Sequence, residues 1–373
     1  MNKQYDSIVV GAGVIGCSIA FQLSKRGHRV LVVEKNEVGQ KASSAAAGML
    51  GAQNEIKDDS PLLAMAQKSR AMFPELAEEL KDLSHMDIEL IQSGILRVAH
   101  TEKEMAELEA AAAFQQAKGE TAEFLNAAEV KEKEPEISST ALGGLYMPDD
   151  GQISPPLLCQ ALARSAAVLG AEFREHTEVT GLVKNHGSVS GIQTAMDTFH
   201  ADSVIVAGGA WSRQIIEKTG LSLDAYPVKG ECFSVRYDHP LVTSSIFSSS
   251  GYIVPKAGGR LIIGATENPG TFDESVQLES LHQMMHSAME ILPKLKDAKW
   301  EKAWAGIRPQ TGDGLPYLGE HPSINGLFTA TGHYRNGMLL APITGVVMAD
   351  QIEGKQTDDR FRIDRLPYKE VRI

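Results

Sequence analysis

The chain has 373 residues, 43% of them hydrophobic and 23% charged. That suits a globular protein of two domains of about 150 residues each, or one large domain with a second inserted into it, and excludes disorder and collagen-like repetition. A net charge of −12 argues against nucleic acid or an anionic membrane as the main partner, because phosphate binding needs clustered Lys and Arg.

Residues 6–35 carry the strongest local signal. Ile8-Val9-Val10 is a β-branched run without polar alternation, as expected of a strand buried on both faces of a parallel sheet. Gly11, Gly13 and Gly16 follow as GxGxxG, and from Val14 the pattern turns helical, with Ile15, Ile19 and Leu23 on one face and Gly27 as the stop. Val30–Val33 is a second buried strand, ending in Glu34. Gly11 permits the tight turn, Gly13 lets a pyrophosphate approach the backbone at a helix N-terminus, and Gly16 lets helix and strand pack closely. Glu34 can accept bonds from a ribose and would repel a 2′-phosphate. The same pattern also fits a tight strand–helix turn that binds nothing, and its spacing does not separate NAD from FAD. The segment Ala42–Gly51 is rich in small residues; it can lie flat against a planar ring or be a tightly packed helix start.

Further along, Ser60-Pro61 opens a long helix expected to run towards Leu83 and to bend at Pro74. A strand near 94–99 and a capping box, Thr101 with Glu104, lead into an Ala/Glu-rich helix. The charged residues of 127–136 read as a solvated face. Ser154-Pro155 starts a helix that ends before Gly170, and short strands over 172–206 end in Val204–Val206 before Gly208-Gly209, suited to the far side of the same nucleotide site. Residues 221–300 read as strands and turns with one helix near 276–291; from Trp304 to Gly354 come glycine-dense loops and a final helix. The expected fold is α/β: a Rossmann-type dinucleotide-binding domain (1–85, 144–220, 301–373) interleaved with a smaller α+β substrate domain on an antiparallel sheet (86–143, 221–300).

Cys17, Cys159 and Cys232 form no CxxC pair, so neither a metal site nor a disulfide framework is expected. No apolar run reaches the ~20 residues of a membrane span. Asp6 ahead of the apolar stretch argues against an export signal over Ile8–Cys17, and the expected location is the cytoplasm. Three residues stand out for chemistry: Tyr252 in GYIVP, Arg308 in WAGIRP and Arg335 in GHYRNG. An arginine among apolar residues and glycines is costly to bury unless it meets an anion, and its planar fork fits a carboxylate; for each, an internal salt bridge is an equal reading. Tyr252 reads first as core, and His333 as a proton shuttle or a hydrogen-bonded loop residue. Asp149-Asp150 and Asp238-His239 read as turns.

Taken together, GAGVIG, the acid Glu34, SSAAAGMLGA, YPVKGE at Tyr226–Glu231, YIVP, IGAT at Ile263–Thr266, WAGIRP and GHYRNGMLLAP run nearly end to end in an order that resembles the FAD-dependent amine oxidoreductases of the D-amino-acid oxidase group. The resemblance implies FAD as cofactor. It assigns to the cofactor Gly11, Gly13, Val14, Ile15, Gly16, Glu34, Lys35, Ala42, Ser43, Ala47, Gly48, Met49, Val179 through its backbone, and His333, Tyr334, Arg335, Asn336, Gly337, Met338 and Leu339 around the flavin. It places Arg308 and Tyr252 on the substrate carboxylate and Arg335 at the same site. Relatives that hold FAD covalently use a cysteine after the arginine clamp; Gln310–Gly319 contains none, so non-covalent FAD is expected. The implied activity is oxidative deamination of glycine and other small amino acids by hydride transfer, with O2 as oxidant, hydrogen peroxide as product and no side chain as acid or base. Sarcosine or small D-amino acids are the alternative substrates, and a dehydrogenase on the same scaffold or an FAD-binding protein without turnover are the alternative functions. The imine is hydrolysed or feeds thiazole formation for thiamine, and a homotetramer is the implied assembly. Two positions depart from the pattern: Ser250, where some relatives carry a bulkier polar residue, and Glu267, where methionine is common.

Overall fold

The computed structural model describes residues 4–56 and 59–365. Among these residues two large sheets form, and the cavity between them is the feature the fold builds. The first sheet rests on the strand β1 (Gln4–Val10), the helix α1 (Val14–Lys25) and the strand β2 (Val30–Val33). Ile8, Val9 and Val10 are buried, and β1 pairs in parallel with β2 (Val10 opposite Val33) and with Thr198–Val206 (Val10 opposite Val206). Leu327–Thr331 and Glu172–Arg174 extend the parallel order on either side, and Tyr317–Glu320 closes one edge antiparallel. The carboxyl ends of three adjacent strands therefore lie together at Gly11, Glu34 and Ala207, the crevice where open α/β sheets bind ligands.

The helices α1, Pro155–Val168, Pro61–Ser84 and Gly337–Ile352 pack together over this sheet. Pro61–Ser84 runs unbroken through Pro74, where the sequence suggests a bend. The final helix, Gly337–Ile352, packs on α1 at Gly345, where a Cβ would stand 2.5 Å from Ser18 Oγ; the Ser18 hydroxyl donates to the Ala341 carbonyl at 2.6 Å. Pro342 lies inside that helix, and the Ser69 hydroxyl bridges it, donating to Leu339 O at 2.6 Å and accepting from Ile343 N–H at 3.3 Å.

The second sheet orders its strands as Asn268–Pro269, Ala225–Arg236, Arg260–Gly264, Gly251–Lys256, Ser245–Ser248, Ile95–Ala99, Gly143–Met147 and Glu123–Asn126, with Lys299–Thr311 also on Ala225–Arg236. It is antiparallel except for the parallel pair Ser245–Ser248 with Ile95–Ala99. Leu278–Ile291 buries Met284, Ala288 and Ile291 against Phe233, Ile253 and Ile263 of this sheet. The strand Lys299–Thr311 corrects one expectation. The glycine-bearing stretch from Trp304 is not a loop there but the end of a long strand paired residue by residue with Ala225–Arg236. Two of the expected domain borders, 143/144 and 300/301, fall within strands of this sheet.

Candidate functional site

A cavity of about 610 Å³ runs from the crevice of the first sheet to the facing edge of the second. At the crevice end Gly11 has φ +105, and a Cβ there would sit 2.6 Å from the Ala207 carbonyl oxygen. A Cβ at Gly16 would collide with the Gly11 carbonyl, so this glycine is required by the packing of α1 on β1. The first N–H of α1, at Val14, donates to Ser43 Oγ at 3.0 Å. The Glu34 carboxylate accepts from Ala12 N–H and Asn36 N–H, both at 2.8 Å, one on each oxygen. Each oxygen keeps a second acceptor site, which is what a ribose diol requires. A helix N-terminus, a glycine turn without room for a side chain and an acid at the next strand end together fit an adenine dinucleotide.

The small-residue segment forms a short turn of helix, Ala42–Ala45, followed by Gly48 at φ +88. It lies against the second sheet so closely that a Cβ at Gly306 would stand 2.5 Å from Ala45 Cβ, while Trp304 Nε1 donates to the Ala45 carbonyl at 3.0 Å. Small side chains on both partners let the two sheets meet here, and Ala42, Ser43, Ala47, Gly48 and Met49 all face the cavity.

At the other end Tyr252, Arg308, Gly230 and Cys232 converge. The half-buried Arg308 donates from Nη1 to the Thr266 carbonyl at 3.1 Å and has no carboxylate partner among the described residues. Its guanidinium lies over Gly230, where a Cβ would collide with it. The Tyr252 hydroxyl is 3.4 Å from Cys232 Sγ, and its ring lies over Gly264, where a Cβ would come within 2.6 Å of the hydroxyl. Burial pushes the Tyr252 hydroxyl well above the usual phenol range and also raises the Cys232 thiol. Tyr252 therefore remains an O–H donor and Cys232 a neutral thiol.

Arg335 resolves the other way. Its Nε donates to Glu55 at 2.9 Å and its Nη1 to Glu267 at 2.5 Å. Burial works against the charge, but the two carboxylates hold its pKa above the usual value. His333 is buried, with Nε2 3.0 Å from Thr344 Oγ1, and desolvation lowers its pKa to about 3. It is a neutral, hydrogen-bonded residue near neutral pH and cannot shuttle protons there.

Of the residues singled out from sequence, Gly11, Gly13, Val14, Ile15, Glu34, Lys35, Ala42, Ser43, Ala47, Gly48, Met49, Val179, Tyr252, Arg308 and the run His333–Met338 line this one cavity. So do Gly208, Gly209 and Trp211. Gly16 lies on the face of α1 packed against β1, and Leu339 is turned into the core, 1% exposed. Sequence reasoning missed Gly230, Cys232, Gly264 and Glu55; the first three lie in or beside YPVKGE and IGAT, where only the fold shows what each faces. The chain does turn at Pro148-Asp149, in line with the turn reading of Asp149-Asp150, but that reading missed what Asp150 does. The residue is fully buried and paired with Arg70 at 2.9 Å, and it accepts from the N–H groups of Gln53 and Asn54.

Among the described residues there is no cluster of metal-ligating side chains and no helix long and apolar enough to cross a membrane. The family model "FAD dependent oxidoreductase" matches residues 6–351. A glycine oxidase of Geobacillus kaustophilus is 48% identical over 96% of this chain and 95% of its own length. One of Bacillus subtilis is 37% identical over 98% of each. The crystal structure of the Geobacillus kaustophilus glycine oxidase superposes with a TM-score of 0.95 at 46% identity, covering 98% of this chain and all of that one.

Proposed function

This chain belongs to the FAD-dependent oxidoreductases of the D-amino-acid oxidase type, and from that membership we propose that it oxidises glycine and other small amino acids, with O2 as electron acceptor. The observation that carries the reading is Arg308: a guanidinium without a carboxylate partner among the described residues, beside a Tyr252 hydroxyl that burial keeps protonated near neutral pH, at the far end of a dinucleotide cavity. The chemistry that FAD would supply when bound is two-electron acceptance: a place for the hydride of the substrate α-carbon and a route for its electrons to O2, giving hydrogen peroxide.

Gly11, Gly13 and the first turn of α1 would hold the pyrophosphate, Glu34 the adenosine ribose and Val179 the adenine. Ala42–Met49 and His333–Met338 would line the flavin. Nothing in Gln310–Gly319 offers a thiol, and the cofactor would be held without a covalent bond. Arg308 receives the substrate carboxylate through two parallel N–H bonds, and the Tyr252 O–H adds a third donor. With the carboxylate fixed, the α-carbon of a molecule as small as glycine has little freedom left, and orientation replaces acid–base catalysis. The neighbouring groups are poorly suited to proton abstraction: burial makes the His333 ring a weak base and Thr344 takes its Nε2, Cys232 keeps its proton and Glu55 is tied to Arg335. The amine reacts in its neutral form, and the imine leaves for hydrolysis to an α-keto acid and ammonia or for thiazole formation. Division into two interleaved domains, assembly as a homotetramer and a cytoplasmic location complete the reading and rest on the family likeness.

The test is oxygen uptake and peroxide formation by the purified flavoprotein with glycine, sarcosine and D-alanine. Uptake with glycine is expected; uptake with D-alanine or sarcosine alone would move the specificity within the family. A flavin that no small amino acid bleaches under anaerobic conditions would refute the reading.

A further inference from the structure

The wall beyond Arg308 carries charges that the reaction does not use. Glu55 accepts from Arg335 Nε at 2.9 Å and Nη2 at 3.1 Å, and Glu267 takes the remaining face at Nη1, 2.5 Å away. The two acids are anchored differently. Glu55 ends the turn Ala52–Glu55, whose Gln53 and Asn54 N–H groups are held by the buried Asp150, so its position follows from the core. Glu267 follows the strand Arg260–Gly264 and reaches the cavity wall through Arg335, with 48% of its side chain exposed against 14% for Glu55. Two carboxylates share the Arg335 guanidinium, whereas Arg308 faces the cavity with no carboxylate beside it among the described residues. The fields of both arginines reach the Tyr252 hydroxyl, so for a ligand clamped at Arg308 and Tyr252, Arg335 is the next cation that a second anionic arm could meet.

Resting on the reading that Arg308 clamps the substrate carboxylate, we propose that Glu267 restricts the site to amino acids bearing a single negative charge, by occupying the Nη1 group of Arg335 that a second anionic arm would otherwise take. Glycine and N-alkyl glycines satisfy this rule. Dicarboxylic amino acids and N-carboxymethyl glycines do not, because their second carboxylate meets Glu267 where it needs a donor, and like charges brought together in a partly desolvated site repel strongly. Without Glu267, Glu55 still holds Nε and Nη2, and one N–H pair becomes free for the second arm.

The experiment titrates the holoenzyme with acetate and with malonate, following the flavin absorbance, in the wild type, Glu267→Gln and Glu267→Met. In parallel, kcat/KM is measured for glycine and for iminodiacetate. Each charge-removing variant should raise the malonate-to-acetate affinity ratio about tenfold or more, and the iminodiacetate-to-glycine ratio in the same direction. Ratios within about twofold of the wild type in both variants, with acetate still bound, would overturn the role of Glu267. The clamp is checked separately: acetate binding that is indifferent to Arg308→Ala would sink the proposed function itself, and with it the inference built on it.

Discussion

Gly230→Ala adds one methyl group at the point where the structure has no room for it. In Ala225–Arg236, Gly230 pairs with Gly306 of the neighbouring strand, and its backbone needs no left-handed conformation. Alanine is therefore acceptable to the strand itself. The added carbon would collide with Cζ and both terminal nitrogens of Arg308, and with ordinary contacts of 3.5–4.0 Å the guanidinium must retreat by roughly 1 Å. A displacement of that size at a clamp costs about 10- to 100-fold, equivalent to about 1.4–2.7 kcal/mol. The loss should fall on ligand affinity, read as the Kd of acetate by flavin absorbance and the KM of glycine. The urea midpoint should stay close to that of the wild type, because a long surface-reaching side chain can move where a backbone could not. Unchanged acetate affinity in a folded, yellow Gly230→Ala protein would show that the guanidinium does not act from the position seen over Gly230, and the clamp geometry would be wrong.

Arg308→Ala removes the clamp outright and should weaken acetate and glycine binding by about 2–5 kcal/mol; a change below about tenfold would place the carboxylate elsewhere. The reductive half-reaction, followed anaerobically by flavin bleaching, should speed up as pH rises through the ammonium titration of the substrate, because no side chain is placed to remove that proton; a flat profile would require a base. His333 gives a stability prediction. Its folded pKa, lowered to about 3 by burial, lies below the 6.5 of an exposed histidine, so between these values the unfolded chain binds the extra proton. The stability tied to the neutral ring is present above pH 6.5 and is lost as pH falls, by about 2 kcal/mol at pH 5. Urea unfolding of His333→Gln at pH 7 and pH 5 should show a drop smaller by that amount than in the wild type, and equal drops would mean that His333 is not buried as a neutral ring.

Legibility from sequence followed the range of the interactions. The β1–α1–β2 unit was readable because its buried strands, glycine turn, helix stripe and terminal acid all lie within 6–35 and depend on one another locally. The capping box of Thr101 and Glu104 is likewise complete within four residues. Arg308 and Arg335 show where local reading stops. Both are flanked by glycines and apolar residues, and both offer the same two readings. One is left open and the other neutralised because Glu55 and Glu267 reach Arg335 from 280 and 68 residues away. The buried role of Asp150, beside a correctly read turn, was hidden for the same reason: its partner Arg70 is 80 positions distant. The stretch Trp304–Pro309 misled differently, since Gly306 suggested a loop but is a strand residue whose missing side chain makes room for Ala45.

The strand Ala225–Arg236 explains how the open arginine is held without being neutralised. Side chains alternate across a strand, and Gly230 and Cys232 face the cavity while the residues between and beside them face away. Lys229 and Glu231 are 1% and 0% exposed and lie 3.3 Å apart, two positions apart on that other face. Lys229 also reaches Asp273 at 3.1 Å. Glu231 accepts from Thr266 Oγ1 at 3.1 Å and from Gln277 N–H at 2.8 Å. Both ends of the connection 265–277 are thereby tied to this strand, and Thr266 is the residue whose carbonyl accepts from Arg308. A buried ion pair is weak as a source of stability, since desolvation offsets most of its attraction. Here its consequence is positional. It fixes a neutral carbonyl at the Arg308 guanidinium through groups on the far face of the strand, so the guanidinium is oriented by an acceptor that carries no charge and its own charge remains available to the substrate.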